Sequence, residues 1–329
     1  SGSPAYIVVV ETSTSDDGKT RVRAFASIDK ELLLQRSVES EVVFAVPSRG
    51  YEVRAKKVRS VGSLELDSMP LPFPSSEKAV EILKETIANL GGYYLALTQT
   101  MSPEKRGQLH EFCRRVHWAS KLDEVTDTAW PACMSVLMKR IDGIPTDHED
   151  EKVLEVLIEP WLAAAGSLKK VDLLEIVTNN LSQEQQLRLQ RDYPVHIPAP
   201  DGSLIPISYS TDPPSATAKL QQFFGTCESP MIGPTHNPMR VSLSLVSPAG
   251  KVVAQTVDLN FFWTQVYPQV RAELRGRYAK HPWPEDPMTA VATRQTKKQL
   301  IAMEANQGSQ SSGAAAAVSD SKKKRRKGK

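Results

Sequence analysis

Short runs of alternating apolar residues fill the first 66 positions. Residues 7–10 and 22–25 flank a polar loop that contains Asp17-Gly18, a hairpin signature. A short helix is expected over residues 28–35, carried by Ile28, Leu32 and Leu33. Residues 42–46, a turn at Ser48-Arg49-Gly50, the alternating Tyr51, Val53 and Ala55, and residues 58–66 add further strands. Strands this short need partners, and three or four in succession predict a small barrel. The Pro70-Leu71-Pro72-Phe73-Pro74 run then makes a stiff boundary.

The period changes to that of helices after this boundary. Ser75-Ser76 supplies an N-cap, and Ala79, Val80, Leu83, Ile87 and Leu90 mark one face until Gly91-Gly92 stops the helix. Further helices are expected near residues 103–116, 127–140, 150–165 and 170–180, with a capping box at Ser182 and Gln185 for one more to about 190. From Tyr193 strands return. Hairpins are expected around Pro200-Asp201-Gly202 and Ser247-Pro248-Ala249-Gly250, with a short helix over Ala218, Leu220, Phe223 and Phe224 closed by Gly225. Leu259, Trp263, Val266, Val270 and Leu274 recur at helical spacing, and Pro268 is expected to restart that helix near its own first position. The fold class is therefore α+β. The expected parts are a β module at 1–74, a helical region at 75–192, a mixed α+β domain at 193–296 and a disordered basic tail at 297–329.

Composition narrows the functions more than the folds. At 40% apolar and 24% charged residues the chain reads as an ordinary globular protein, with no apolar run long enough to span a membrane and no visible signal peptide. Cys113, Cys133 and Cys227 are widely spaced, which fits buried thiols in a reducing, intracellular compartment. Net charge is +3, but residues 297–329 carry +7 and residues 1–296 carry −4. The basic end, Lys322, Lys323, Lys324, Arg325, Arg326 and Lys327, suits non-specific RNA contact or a nuclear address.

No enzymatic motif is complete in this sequence. Gly18-Lys19-Thr20 lacks the upstream glycine and following helix of a phosphate loop, so a hairpin turn is expected there. Cys113, His117 and Cys133 lack the paired spacing of a zinc site and read as a helix face with a buried thiol. His148-Glu149-Asp150-Glu151 reads as a solvated helix start. No catalytic residue, metal site or resident cofactor is expected.

One stretch stands out. Residues 273–287 combine Arg275, Arg277 and Lys280 with Tyr278, Trp283 and the prolines Pro282, Pro284 and Pro287. No helix or central strand runs through those prolines, so a stiff arm is expected with Trp283 held between two of them. Arg271, Arg275, Arg277, Tyr278 and Lys280 are the candidates for phosphate pairing and base stacking. The competing reading packs the rings on the domain core and bridges the arginines to Glu285 and Asp286. The acidic body favours packing.

Leu274-Arg275-Gly276-Arg277-Tyr278 and His281-Pro282-Trp283-Pro284-Glu285-Asp286-Pro287 resemble the closing signature of the HrpB family of ATP-dependent RNA helicases, of the DEAH/RHA class. Pro160-Trp161-Leu162, Asp212-Pro213-Pro214, Phe223-Phe224-Gly225, Leu259-Asn260-Phe261-Phe262-Trp263 and Tyr267-Pro268-Gln269-Val270 follow the family's order. The resemblance covers about residues 5–296. It implies that 193–296 is the HrpB-type C-terminal domain, with Trp263, Tyr267, Leu274, Gly276, Pro282, Trp283 and Pro284 as its structural signature. It also implies that 1–74 is an OB-like module, N-terminally incomplete and poorly stable alone.

Such helicases carry two RecA-like motor domains that bind ATP and Mg, and none of those motifs occurs in this sequence. The expectation is an accessory C-terminal region, inactive as an ATPase alone, whose partners are RNA and the missing motor. The alternative is a stand-alone RNA-binding or interaction adaptor. The absence of an initiator Met suggests an incomplete chain.

Overall fold

The computed structural model describes residues 6–14, 20–122 and 129–302. The chain is α+β and divides into two units, residues 1–106 with 139–177, and residues 107–138 with 178–329.

The first unit opens on β1 (Ile7–Thr14) and β2 (Thr20–Ser27), an antiparallel ribbon whose Asp17-Gly18 turn lies outside the described residues. Helix α1 (Lys30–Gln35) is capped by Asp29, whose carboxylate accepts from the Glu31 amide at 3.0 Å. Strands β3 (Val38–Val46), β4 (Glu52–Val61) and β5 (Leu64–Leu71) form an antiparallel sheet in that order. Among the described residues the ribbon and this sheet close no barrel. Strand β5 runs through Pro70, opposite Lys56, and ends at Leu71, five residues past the expected end of the β run at 66. It can do so because β5 is an edge strand and needs no donor on its outer side.

The helical run comprises α2 (Ser76–Asn89), α3 (Tyr93–Thr100), α4 (Pro103–Leu122), α5 (Ala132–Ile141), α6 (His148–Ala165), α7 (Leu173–Asn179) and α8 (Gln183–Asp192). Gly91-Gly92 does stop α2, but α3 starts at once. Periodicity could not reveal it, because Tyr93, Tyr94, Ala96, Leu97 and Thr98 are all buried and leave no polar stripe to read. Ala79, Leu83 and Ile87 of α2, with Leu154, Ile158 and Leu162 of α6, form the helical core of the first unit. Helix α6 starts on a reciprocal capping box, Asp147 with Asp150, and ends on Gly166 at φ 60. That glycine is needed twice over. Its backbone is left-handed, and a Cβ there would stand 2.7 Å from Cζ of Phe73. Its carbonyl accepts from the Val53 amide at 3.0 Å, and Ser167 Oγ donates to the Gly50 carbonyl at 2.8 Å, tying α6 to the sheet.

The second unit is built on β6 (His196–Pro198), β7 (Leu204–Ser208), β8 (Ser215–Lys219), the short pair β9 (Met231–Ile232) and β10 (Met239–Arg240), β11 (Ser242–Val246) and β12 (Val252–Thr256). Its main sheet has the order β12-β11-β8-β7-β6, with β8 and β11 parallel and the other pairs antiparallel. The short helix expected over Ala218 to Phe224 is instead the end of β8 followed by a 3-10 turn, Leu220–Phe223. The residues are small and alternate, with Ala216 and Ala218 buried, which is a strand pattern. Helix α4 is fastened to this unit by buried polar groups. Arg115 donates to the carbonyls of Tyr193 at 2.7 Å and Leu189 at 3.0 Å, and Trp118 Nε1 donates to the Tyr209 carbonyl at 3.0 Å.

The last helical segment is α9 (Leu259–Phe261), a π-helical turn at Phe262–Val266, and α10 (Tyr267–Arg277). Asp258 caps it, accepting from the Phe261 amide at 2.9 Å. Pro268 sits in the first turn of α10, where its missing N–H costs least.

Candidate nucleic-acid interface

The arm after α10 folds back as a clamp. Phe224, Phe262, Trp263 and Tyr267 form a ring cluster, with centroids 4.8 Å apart for Phe262 and Trp263 and 5.4 Å for Trp263 and Tyr267. Burial in this cluster pushes the Tyr267 phenol up from its usual range. Because the arm is rich in proline it offers carbonyls and few amides, and the rest of the unit supplies the donors. Tyr267 Oη donates to the Pro284 carbonyl at 3.0 Å, Arg271 Nε to that of Trp283 at 3.0 Å, and Gln221 Nε2 to that of Pro282 at 2.9 Å. The Gly225 amide reaches the Pro287 carbonyl at 2.9 Å. Trp283 itself is buried and its Nε1 donates to the Tyr278 carbonyl at 3.0 Å. Leu274 is buried beneath the same end of α10.

The five candidates of this region and Trp283 therefore separate into two groups. Arg271 and Trp283 belong to the clamp, with Arg271 also paired to Glu285 at 3.2 Å. Arg275, Arg277 and Lys280 are exposed, and Tyr278 is half-buried. Arg277 holds Glu273 one turn back at 3.5 Å, while Arg275 and Lys280 take part in no ion pair among the described residues. Gly276 lies between the two arginines in sequence and is exposed, and a Cβ there would meet nothing within 4 Å. Gly276 is the last residue but one of α10, where Gly in place of Ala costs up to roughly 1 kcal/mol. No packing contact explains this one.

Beside the glycine, Ser247, Lys251, Arg277 and Tyr278 border a cavity of about 170 Å³ between α10 and the β11–β12 turn. Tyr278 Oη and Ser247 Oγ are 3.5 Å apart. Lys251 is likewise in no ion pair among the described residues. Neither Ser247 nor Lys251 was a candidate from sequence, where they are only the two ends of a hairpin turn. Their approach to Tyr278 follows from the way β11 and β12 deliver that turn to the end of α10.

Strand β4 shows the opposite arrangement. It is rich in Arg and Lys, yet Lys56 is held by Glu65 at 2.7 Å and Arg59 by Glu39 at 2.6 Å, with Lys57 on the same Glu39. Hydrogen bonds from Lys57 and Arg59 hold the Glu39 carboxyl down to about 2. The charges of β4 are neutralised in place.

The remaining candidates are quickly placed. Lys322, Lys323, Lys324, Arg325 and Arg326 lie outside the described residues. Cys113 is buried on α4, its thiol pushed up to about 12 by burial and by the nearby Cys133, whereas His117 is exposed. Among the described residues no three His, Cys, Asp or Glu side chains gather as a metal site, and no helix is long and apolar enough to cross a membrane.

Residues 158–287 match the family model HrpB_C, described as the ATP-dependent helicase C-terminal region. The ATP-dependent RNA helicase HrpB of Escherichia coli (strain K12) is 28% identical over 303 residues, which is 88% of this chain and 34% of that protein. The crystal structure of E. coli DExH-box NTPase HrpB shares the fold with a TM-score of 0.52 at 24% identity, again over 88% of this chain and 34% of the other. The chain spans about a third of the length of these relatives.

Proposed function

We propose, from the premise that this chain carries an HrpB-type helicase C-terminal region, that it is the accessory part of an ATP-dependent RNA helicase and contacts RNA through the exposed end of α10. On this reading the ATP- and Mg-binding motor lies in other domains. The aromatic clamp holds α10 rigid against the second unit, and Arg275, Arg277, Lys280 and Lys251 meet the phosphates. Phosphate contacts position a strand without reading its sequence, which suits a module that serves a moving motor.

The observation that carries the proposal is Gly276. It gives up helix stability, a Cβ on it would meet nothing within 4 Å, and its two neighbours in sequence are exposed arginines. Removing the Cβ at that point lets a backbone approach the helix closely. The test is photocrosslinking of a 4-thiouridine-substituted single-stranded RNA to the full chain, followed by peptide mapping. Crosslinks are expected on the α10 end and the β11–β12 turn. Crosslinks confined to residues 322–329 would remove α10 from the interface.

A further inference from the structure

In the first unit, α2 and α6 enclose an open groove of about 780 Å³. Val80, Val156, Pro160 and Ala163 form its apolar lining. Val156 is 69% exposed, an aliphatic side chain in mid-helix facing solvent. Pro160 has no N–H to give the Val156 carbonyl one turn earlier, so the groove is also short of one helical hydrogen bond.

Its charge is one-sided. Glu77, Glu81 and Glu159 line it, and the ammonium among the lining residues, Lys84, is already held by Glu155 and by Glu159 at 3.5 Å. Those carboxylates raise the Lys84 pKa, Glu155 foremost. A surface of this kind repels RNA and anionic lipid and attracts cations. From Val156 to Ala163 the lining runs two helical turns, about 10 Å at 1.5 Å per residue, enough to seat two turns of a second helix.

We propose that this groove docks a basic amphipathic helix of a protein partner. Apolar side chains at i, i+4 and i+7 of the partner enter between Val80 and Val156, and its Lys or Arg residues meet Glu77 and Glu81. The groove thus adds a protein-docking surface to a chain whose other exposed face is suited to RNA.

The probe is a fluorescein-labelled Leu/Lys amphipathic helix roughly fourteen residues long, with a Leu/Glu helix as control, titrated by anisotropy against the full chain. Binding of the Leu/Lys helix alone is expected, weakened about tenfold or more by Glu77→Lys with Glu81→Lys, and by Val156→Glu. The Val156 variant is the sharper one, because it adds a negative charge. Unspecific attraction of the basic probe would grow, whereas docking in the groove would be lost. These positions are exposed, and far-UV circular dichroism checks that each variant folds. Unchanged or tighter binding by Val156→Glu, or equal binding of both probes, overturns the proposal. A dimer in sedimentation that Val156→Glu dissolves also overturns it, since the occupant would then be a second copy.

Discussion

Trp283 and Gly276 sit seven residues apart and illustrate opposite uses of a side chain. Trp283 is buried, with its indole N–H on the Tyr278 carbonyl and its own carbonyl on Arg271. Trp283→Ala should cost ~3 kcal/mol or more, read as a lower urea midpoint. A neutral result would mean that the arm does not depend on its ring. Gly276→Ala should do the reverse, raising stability by up to roughly 1 kcal/mol since nothing obstructs the new methyl. Under the proposed function the same variant binds RNA more weakly. Stabilisation with full RNA affinity would return Gly276 to an unexplained helix glycine.

How far these roles can be read from sequence differs by residue. The composition of 273–287 announces a stiff aromatic arm, and the prolines forbid a helix there. Which arginine turns inward was not legible, because Arg271, Arg275 and Arg277 are alike in type and only the path of the arm decides. Ser247 and Lys251 left no signal at all, since their part depends on where a distant hairpin turn is delivered.

At the scale of elements, the segment from α9 through α10 shows why periodicity succeeds and then falls short. Spacings of four and three residues correctly place Leu259, Trp263 and Leu274 on the buried face. Phe262 and Tyr267, at i+3 and i+8 from Leu259, fall on that same face and are buried too, although the expected pattern leaves them out. What no spacing announces is the π-helical turn at Phe262–Val266. Likewise α3 escapes notice because it is covered on several sides, and β8 reads as a helix only while its alanines are taken for helix formers. The first unit's β module was expected as a barrel from strand count alone. Strand count cannot say whether strands close on one another.

The arm also has a pH dependence of its own. The His281 imidazole is half-buried, and its Nδ1 is buried without a hydrogen-bond partner. Burial first, and then the Lys219 charge, lower its pKa, opposed by a hydrogen bond to the backbone of Gln295. A lowered folded-state value means that the unfolded chain binds the proton more readily. Stability from this group is therefore complete above the unfolded histidine range, about 6.5, and is lost as pH falls through the folded value. Urea titrations at descending pH should show the midpoint falling below neutrality, and His281→Gln should flatten that fall. An identical slope in the variant would assign the dependence to other groups.

For the whole molecule, the balance of charge differs from one described surface to the next. The β4 cations are neutralised by Glu39 and Glu65, the α2–α6 groove is acidic, and at the end of α10 Arg275 and Lys280 are in no ion pair among the described residues. Under the proposed function the strongly basic residues 322–329 are a second source of RNA affinity, independent of α10. Deleting them should lower affinity for every RNA sequence equally and leave the α10 contribution intact. The chain alone should show no RNA-stimulated ATP turnover. Turnover that a point change in this chain abolishes would contradict its reading as an accessory part.

The most direct test is the salt dependence of single-stranded RNA binding by the wild type and by Arg275→Glu with Arg277→Glu. Both positions are exposed, and replacing the Arg277–Glu273 pair with like charges in the last turn of α10 should lower the melting temperature only slightly. If the two arginines contact phosphates, the slope of log K against log salt falls by roughly 1.4 in the variant, with affinity down about tenfold or more. An unchanged slope and affinity in a variant that still folds would contradict the assignment of the α10 end to RNA.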